Sequence, residues 1–285
     1  MEIIQALFEF RFLQYAFAAG ILAAVSCGVV GTFVTVKRMS YIAGAIAHSV
    51  LAGLGAANYL ATVHDWTWLH PIHGALVAAL ISAVIIGFTV LRGKQRMDTV
   101  LSAIWSIGMS IGILFIFSTP GYNQDIMSYL FGNILMISNQ DILNIVFLNI
   151  FILGITVVFY KKLFAVCFDE EFARVRGINV DLYFMIIVVL TALTVVVLIQ
   201  VVGIILVIAL LTLPAAAASL VSKRLWKTMA LATVLGAVYI IGGLFFSYTP
   251  DLPAGAVIIL FSAAGYLGIF FFNKVKVSFQ RQSRR

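Results

Sequence analysis

His48 lies in the middle of an apolar run from 41 to 60, where an ionisable side chain is costly and normally faces a bundle interior or a water-filled cavity. Gly44, Ala45, Ala52, Gly55 and Ala56 share its helical face, and small residues at that spacing let another helix approach closely or leave room for a pathway. A neutral imidazole there can coordinate zinc, manganese or iron, and two copies related by a two-fold axis would bring two nitrogens together. The residues alone leave a second reading open, a histidine hydrogen-bonded across helices.

Phe168 to Asp181, FDEEFARVRGINVD, is the other segment with chemistry to spare. Its pattern suits a short amphipathic helix with Phe172 and Val175 on one side and Glu170, Glu171, Arg174 and Arg176 elsewhere, fit to dock into a soluble partner. A solvated loop ended by Gly177 fits the same residues. Weaker candidates are His64, Asp65, His70 and His73, which have metal-binding side chains but lie beside Trp66 and Trp68 in a stretch that reads as an interfacial belt. Asp98 reads as a helix N-cap, Gly108 and Gly112 as a GxxxG packing pair, and Pro214 as a bend ahead of the alanine run 215 to 218.

Several chemistries are excluded. Between Gly87 and Lys94 the glycines are one position too far apart for a phosphate-binding loop, and Gln95 stands where Ser or Thr is needed. No GxSxG elbow and no HExxH zinc pair occurs. Intramembrane acidic residues, which a stand-alone secondary transporter would need for ion coupling, are missing from the interiors of the apolar runs. The chain is expected to be a transport subunit and not an enzyme.

The elements that must hold these residues are membrane helices. Of 285 residues, 63% are hydrophobic and 10% charged, against roughly a quarter charged in a soluble domain. Long apolar runs without alternation mean helices and not barrel strands. They cover 12 to 36, 41 to 60, 74 to 91, 99 to 118, 141 to 160, 182 to 200, 201 to 221, 228 to 247 and 254 to 272, which predicts an all-α bundle of about nine spans, with eight possible. The bundle forms one domain over 1–285. A stretch from Ile126 to Ile137 is too short to span and too apolar for a free loop, as in a re-entrant or interfacial helix.

The net charge of +7 falls in short clusters at alternate connections and not in a patch, which argues topology and against nucleic acid. The clusters are Lys37 with Arg38; Arg92, Lys94 and Arg96; Lys161, Lys162, Arg174 and Arg176; Lys223, Arg224 and Lys227; and the tail from Lys274 to Arg285. All become cytoplasmic if the N-terminus is outside, the C-terminus inside, and a turn lies near Gln200 and Gly203. Glu2 and Glu9 precede Arg11, so the start lacks the basic region of a cleavable signal and the first apolar segment should stay. Cys27 and Cys167 have no reason to meet in a disulfide.

FLQYAF at 12 to 17, GVVGTFVTVKRMSYIAGAIAHSVLAG at 28 to 53, FGNIL at 131 to 135, FDEEFARVRGI at 168 to 178 and VVGIILVIALLTLPAAAA at 201 to 218 occur in an order and spacing that resembles the permease subunits of the zinc, manganese and iron ABC importers. The resemblance implies a type II importer-like permease in a bacterial-type cytoplasmic membrane, multi-pass. It implies a second permease copy or paralogue, two cytoplasmic ATP-binding subunits, and an extracytoplasmic metal-binding protein, with a divalent metal ion as substrate and no permanently bound cofactor. It makes about 168–178 the coupling helix, since Glu171, Ala173 and Gly177 stand at the Glu, second Ala and Gly of an EAAxxxG pattern in which Phe172 replaces the first Ala; Asp169 and Glu170 belong to the same segment. The family commonly has Asp four residues before the pathway histidine, where this chain has Gly44, so the implied metal ligand is His48 alone. An importer of a larger metal chelate and a stand-alone secondary transporter are the alternatives.

Overall fold

The computed structural model describes residues 9–66, 68–93, 96–120, 130, 132, 134–248, 250 and 252–282, with the backbone alone given for 277–282. Its helices are α1 (Arg11–Val36), α2 (Ser40–Val63), α3 (Pro71–Arg92), α4 (Met97–Ser118), α5 (Asn139–Phe168), α6 (Glu170–Val175), α7 (Val180–Val202), α8 (Val207–Val221), α9 (Leu225–Tyr248) and α10 (Ala254–Gln282), with a 3-10 turn at Ile134–Met136. Eight of them are long and apolar enough to cross a membrane, and α8 is a shorter apolar helix. The predicted runs and the observed helices coincide to within a few residues at most ends, and the bundle is that of a multi-span membrane protein.

Local chemistry explains the ends. Pro71 opens α3 and Gly93, in the left-handed region, closes it. Ser138 and Asp141 form a capping box on α5, each side chain satisfying the other's exposed backbone N–H. Asp98 is not the cap that its position suggests: α4 starts at Met97 after Arg96, and Asp98 sits in the first turn, where its carboxylate faces the positive end of the helix dipole.

The turn inside the long apolar stretch is real. Gly203 (φ +79) ends α7, and α8 resumes only at Val207, not at 201. At 15 residues α8 is about 22 Å long, short of the hydrocarbon thickness. The remaining depth is filled by irregular backbone: Ile205 N–H donates to the Leu130 carbonyl at 3.2 Å, and Ile134, Val202 and Ile204 are buried beside it. Non-helical chain at membrane depth is tolerated where protein encloses it, and here Val202, Gly203 and Ile204 are enclosed while the Ile205 side chain is exposed. Of the re-entrant stretch expected at Ile126 to Ile137, residues 126–129, 131 and 133 lie outside the described residues; its end is the 3-10 turn packed on α1 and α7.

The most enclosed helix is α7, surrounded by α1, α2, α3 and α5. Around it α2 packs along both α3 and α4, and α1 along α9, α8 and α5. Cys27 and Cys167 are buried and free.

Candidate functional site

His48 is placed by the seam between α2 and α4. The GxxxG pair on α4 sets the spacing: a Cβ on Gly108 would overlap the Ser49 backbone, and one on Gly112 would overlap Leu51. In return, a Cβ on Gly55 would come 2.7 Å from the Gly112 carbonyl. The small face of α2 is therefore filled by α4 at backbone contact. Ser49, next to His48, brings its hydroxyl 2.7 Å from that of Ser82 and ties α2 to α3 on the other side.

Within the seam His48 is 7% exposed. Its Nδ1 lies 2.8 Å from the Gly44 carbonyl, an acceptor without a proton to give, so Nδ1 carries the hydrogen and Nε2 keeps its lone pair. A histidine satisfied by a neighbouring helix would have made the packing reading sufficient. Instead the partner is the carbonyl one turn back on its own helix, and Nε2 is left over. Trp105 of α4 stacks on the ring, centroids 3.8 Å apart and planes 21° from parallel. The contact of Trp105 with His48 was not legible in the sequence, because an aromatic in an apolar helix reads as packing; the cue was its position three residues before Gly108.

Above Gly44 the space is partly taken. A Cβ there would meet Ile208 Cδ1 at 2.8 Å and Trp105 Cζ3 at 3.8 Å, so α8 and α4 together wall the turn before His48.

The segment 168–178, expected from the resemblance to be the coupling helix, lies elsewhere, at the α5–α7 corner. Asp169 caps α6 by accepting from Phe172 N–H at 2.9 Å. The helix ends in a Schellman pattern in which Ile178 N–H reaches the Ala173 carbonyl at 3.0 Å and Gly177 (φ +74) makes the turn. Ala173 is buried against the bundle, while Asp169, Glu170, Glu171 and Gly177 are exposed and Phe172 and Val175 present bare apolar surface. Arg174 pairs with Asp181 at 3.1 Å, and Arg176 sits over the Phe172 ring. A second contact was invisible in sequence: Lys37, in the turn between α1 and α2, forms an ion pair with Glu170.

The remaining candidates do not converge. His64 is edge-on to Tyr59, the His70 and His73 rings are 6.4 Å apart and steeply inclined, and Asp65 is exposed. Among the described residues no group of three or more His, Cys, Asp or Glu side chains is arranged to hold a metal, at this loop or at His48.

Known proteins share this architecture. The chain is 34% identical over 265 residues, 93% of its length and 90% of the other's, to a probable metal transport system membrane protein of Chlamydia pneumoniae. It is 31% identical over 267 residues, 94% and 89% of the two chains, to the manganese transport system membrane protein MntC of Halalkalibacterium halodurans. Among solved structures, that of PsaBC from Streptococcus pneumoniae in complex with Fab superposes with a TM-score of 0.84 at 33% identity, over 94% of both chains. The ABC 3 transport family model matches residues 9–273, and with it the chain belongs to the ABC 3 transport family.

Proposed function

We propose that this chain is the membrane-spanning permease subunit of an ATP-binding cassette importer that carries a divalent transition-metal ion, manganese, zinc or iron, into the cytoplasm. The observation that carries the reading is His48: an imidazole in the membrane interior, its tautomer fixed by the Gly44 carbonyl and its Nε2 left with a lone pair. The names of the chlamydial and Halalkalibacterium relatives favour a metal, and the second favours manganese.

A second permease copy or paralogue supplies the missing donors. The surface of α4 beside Trp105 supports this, because Ser102, Ser106 and Ser110 are exposed at one-turn intervals along the middle of a helix whose other polar residues, Asp98, Thr99 and Ser118, stand at its ends. Hydroxyls suit an aqueous seam between subunits better than lipid. Two cytoplasmic ATP-binding subunits engage the exposed Asp169, Glu170, Glu171 and Gly177, while Ala173, expected in the same contact, is buried and instead seats the segment on the bundle, and an extracytoplasmic metal-binding protein delivers the ion at the opposite face. The Lys37–Glu170 pair joins two of the basic connections at one face, in keeping with an N-terminus outside and a C-terminus inside.

The test is metal uptake by the assembled transporter with His48→Ala. Loss of nearly all uptake with folded permease retained is expected; uptake at the parental rate would return His48 to a packing role.

A further inference from the structure

We propose that Trp105 is a positioning residue for metal binding, acting through the imidazole of His48; this rests on the pathway reading of His48. The backbone contact between Gly108 and Ser49 fixes how close α4 comes to α2, and Trp105, one turn before Gly108, is thereby laid on the ring one position before Ser49. The indole N–H donates to Met109 Sδ at 3.2 Å on its own helix. That bond orients the indole and leaves its donor no call on Nε2.

The imidazole is consequently held on two sides. Its Nδ1 edge is tied to the Gly44 carbonyl and one face is covered by the indole, so Nε2 is the edge left for a ligand. Rotation of a histidine ring about its outer torsion is otherwise broad, and freedom left in the empty site must be lost when metal binds. Coordination also draws positive charge onto the imidazole, and the indole face is the aromatic surface that best stabilises it. Trp105 thus favours the metal-bound state over the empty one.

Trp105 is 36% exposed, on the surface of α4 flanked by Ser102 and Ser106, so its indole meets the imidazole at the edge of the seam and not within the buried core.

The experiment compares Trp105→Phe and Trp105→Leu in the assembled transporter, with zinc and manganese as the metals, reading KM and Vmax for uptake beside the amount and melting temperature of the purified permease. Phe still covers the imidazole and stays near the parent. Leu fills space without a π face, and its KM rises about tenfold, at the lower end of what losing an outer-shell partner costs in metal affinity, with Vmax and melting temperature little changed. Trp105→Met replaces Leu if that variant does not accumulate. A parental KM in the Leu or Met variant, or equal losses in the Phe and aliphatic variants, overturns the proposal. His48→Ala separates the two levels: uptake surviving in His48→Ala means the pathway reading has failed, whereas uptake lost there beside a parental KM in Trp105→Leu rejects the role of Trp105 alone.

Discussion

The α2–α4 seam and the α5–α7 corner are built in opposite ways. In the seam, glycines bring backbones into contact and the imidazole of His48 is buried under an indole. At the corner, Asp169, Glu170, Glu171, Arg174 and Arg176 are exposed, and a cap, a Schellman turn and ion pairs hold the shape. Where lipid removes the hydrophobic drive between helices, position is set by van der Waals fit; where water competes, it is set by satisfied backbone ends and charge. The seam should therefore fail on added volume, and the corner on altered charge.

The largest effect is expected from the smallest added group. Gly→Ala inside a helix ordinarily stabilises by about 1 kcal/mol through propensity. At Gly108 the new Cβ overlaps the Ser49 backbone, which has no rotamer to change, and the helices must part. Gly108→Ala is expected to lower the melting temperature of the purified permease and abolish uptake, at a cost of about 1–3 kcal/mol. Gly154→Ala on α5 meets nothing within 4 Å and should be neutral or stabilising. Equal melting temperatures for the two variants would mean that the seam is not held by backbone contact.

The same contrast explains what the sequence disclosed. Apolar runs located the helices because lipid imposes length and composition directly, and alternating basic clusters exposed the break near Gly203 that hydropathy alone hides. His48 stood out because an ionisable group at membrane depth has few cheap explanations. Trp105 did not, since aromatic packing is common, and neither did Ile208, which reaches Gly44 only through the placement of α8. The Lys37–Glu170 pair joins residues 133 positions apart and leaves no periodic trace. His64, His70 and His73 show the converse: suitable residue types lie close in sequence, yet among the described residues no group of three or more His, Cys, Asp or Glu is arranged to hold a metal.

A smaller effect, and one confined to coupling, is expected at the corner. Lys37 is 12% exposed and Glu170 48%, so the pair is worth only about 0–1 kcal/mol of stability once water screens it. On the proposed function its consequence is mechanical, since it connects α6 to the turn that starts α2, the helix carrying His48. Lys37→Glu or Glu170→Lys should leave the melting temperature nearly unchanged while lowering metal taken up per ATP hydrolysed, and the double exchange should restore part of that ratio. If the double exchange is no better than either single variant, the contact does not transmit motion. Glu171→Ala, outside the pair, should weaken ATPase association instead, measured by co-purification.

The smallest expected effect concerns metal preference at Gly44. Residues four apart stack on one helix face, so Gly44→Asp would put an oxygen donor one turn from His48, and in a dimer two of them. Unpaired carboxylates are expensive inside a membrane, but a divalent cation between them neutralises the charge. Manganese is harder than zinc and gains more from oxygen ligands, so competitive uptake should shift toward manganese. Space is the opposing factor: the new Cβ would press on Ile208 Cδ1, the movable end of a side chain, while lying at ordinary contact distance from Trp105. Gly44→Asp alone should therefore fold but gain little. Gly44→Asp with Ile208→Val, which removes that terminal methyl, should show the full shift in the manganese-to-zinc ratio, and Gly44→Ala with Ile208→Val should show none. A ratio unchanged in a folded, active Gly44→Asp/Ile208→Val variant would mean that Gly44 does not face the ion path, and would leave His48 without a neighbouring position from which its metal preference can be tuned.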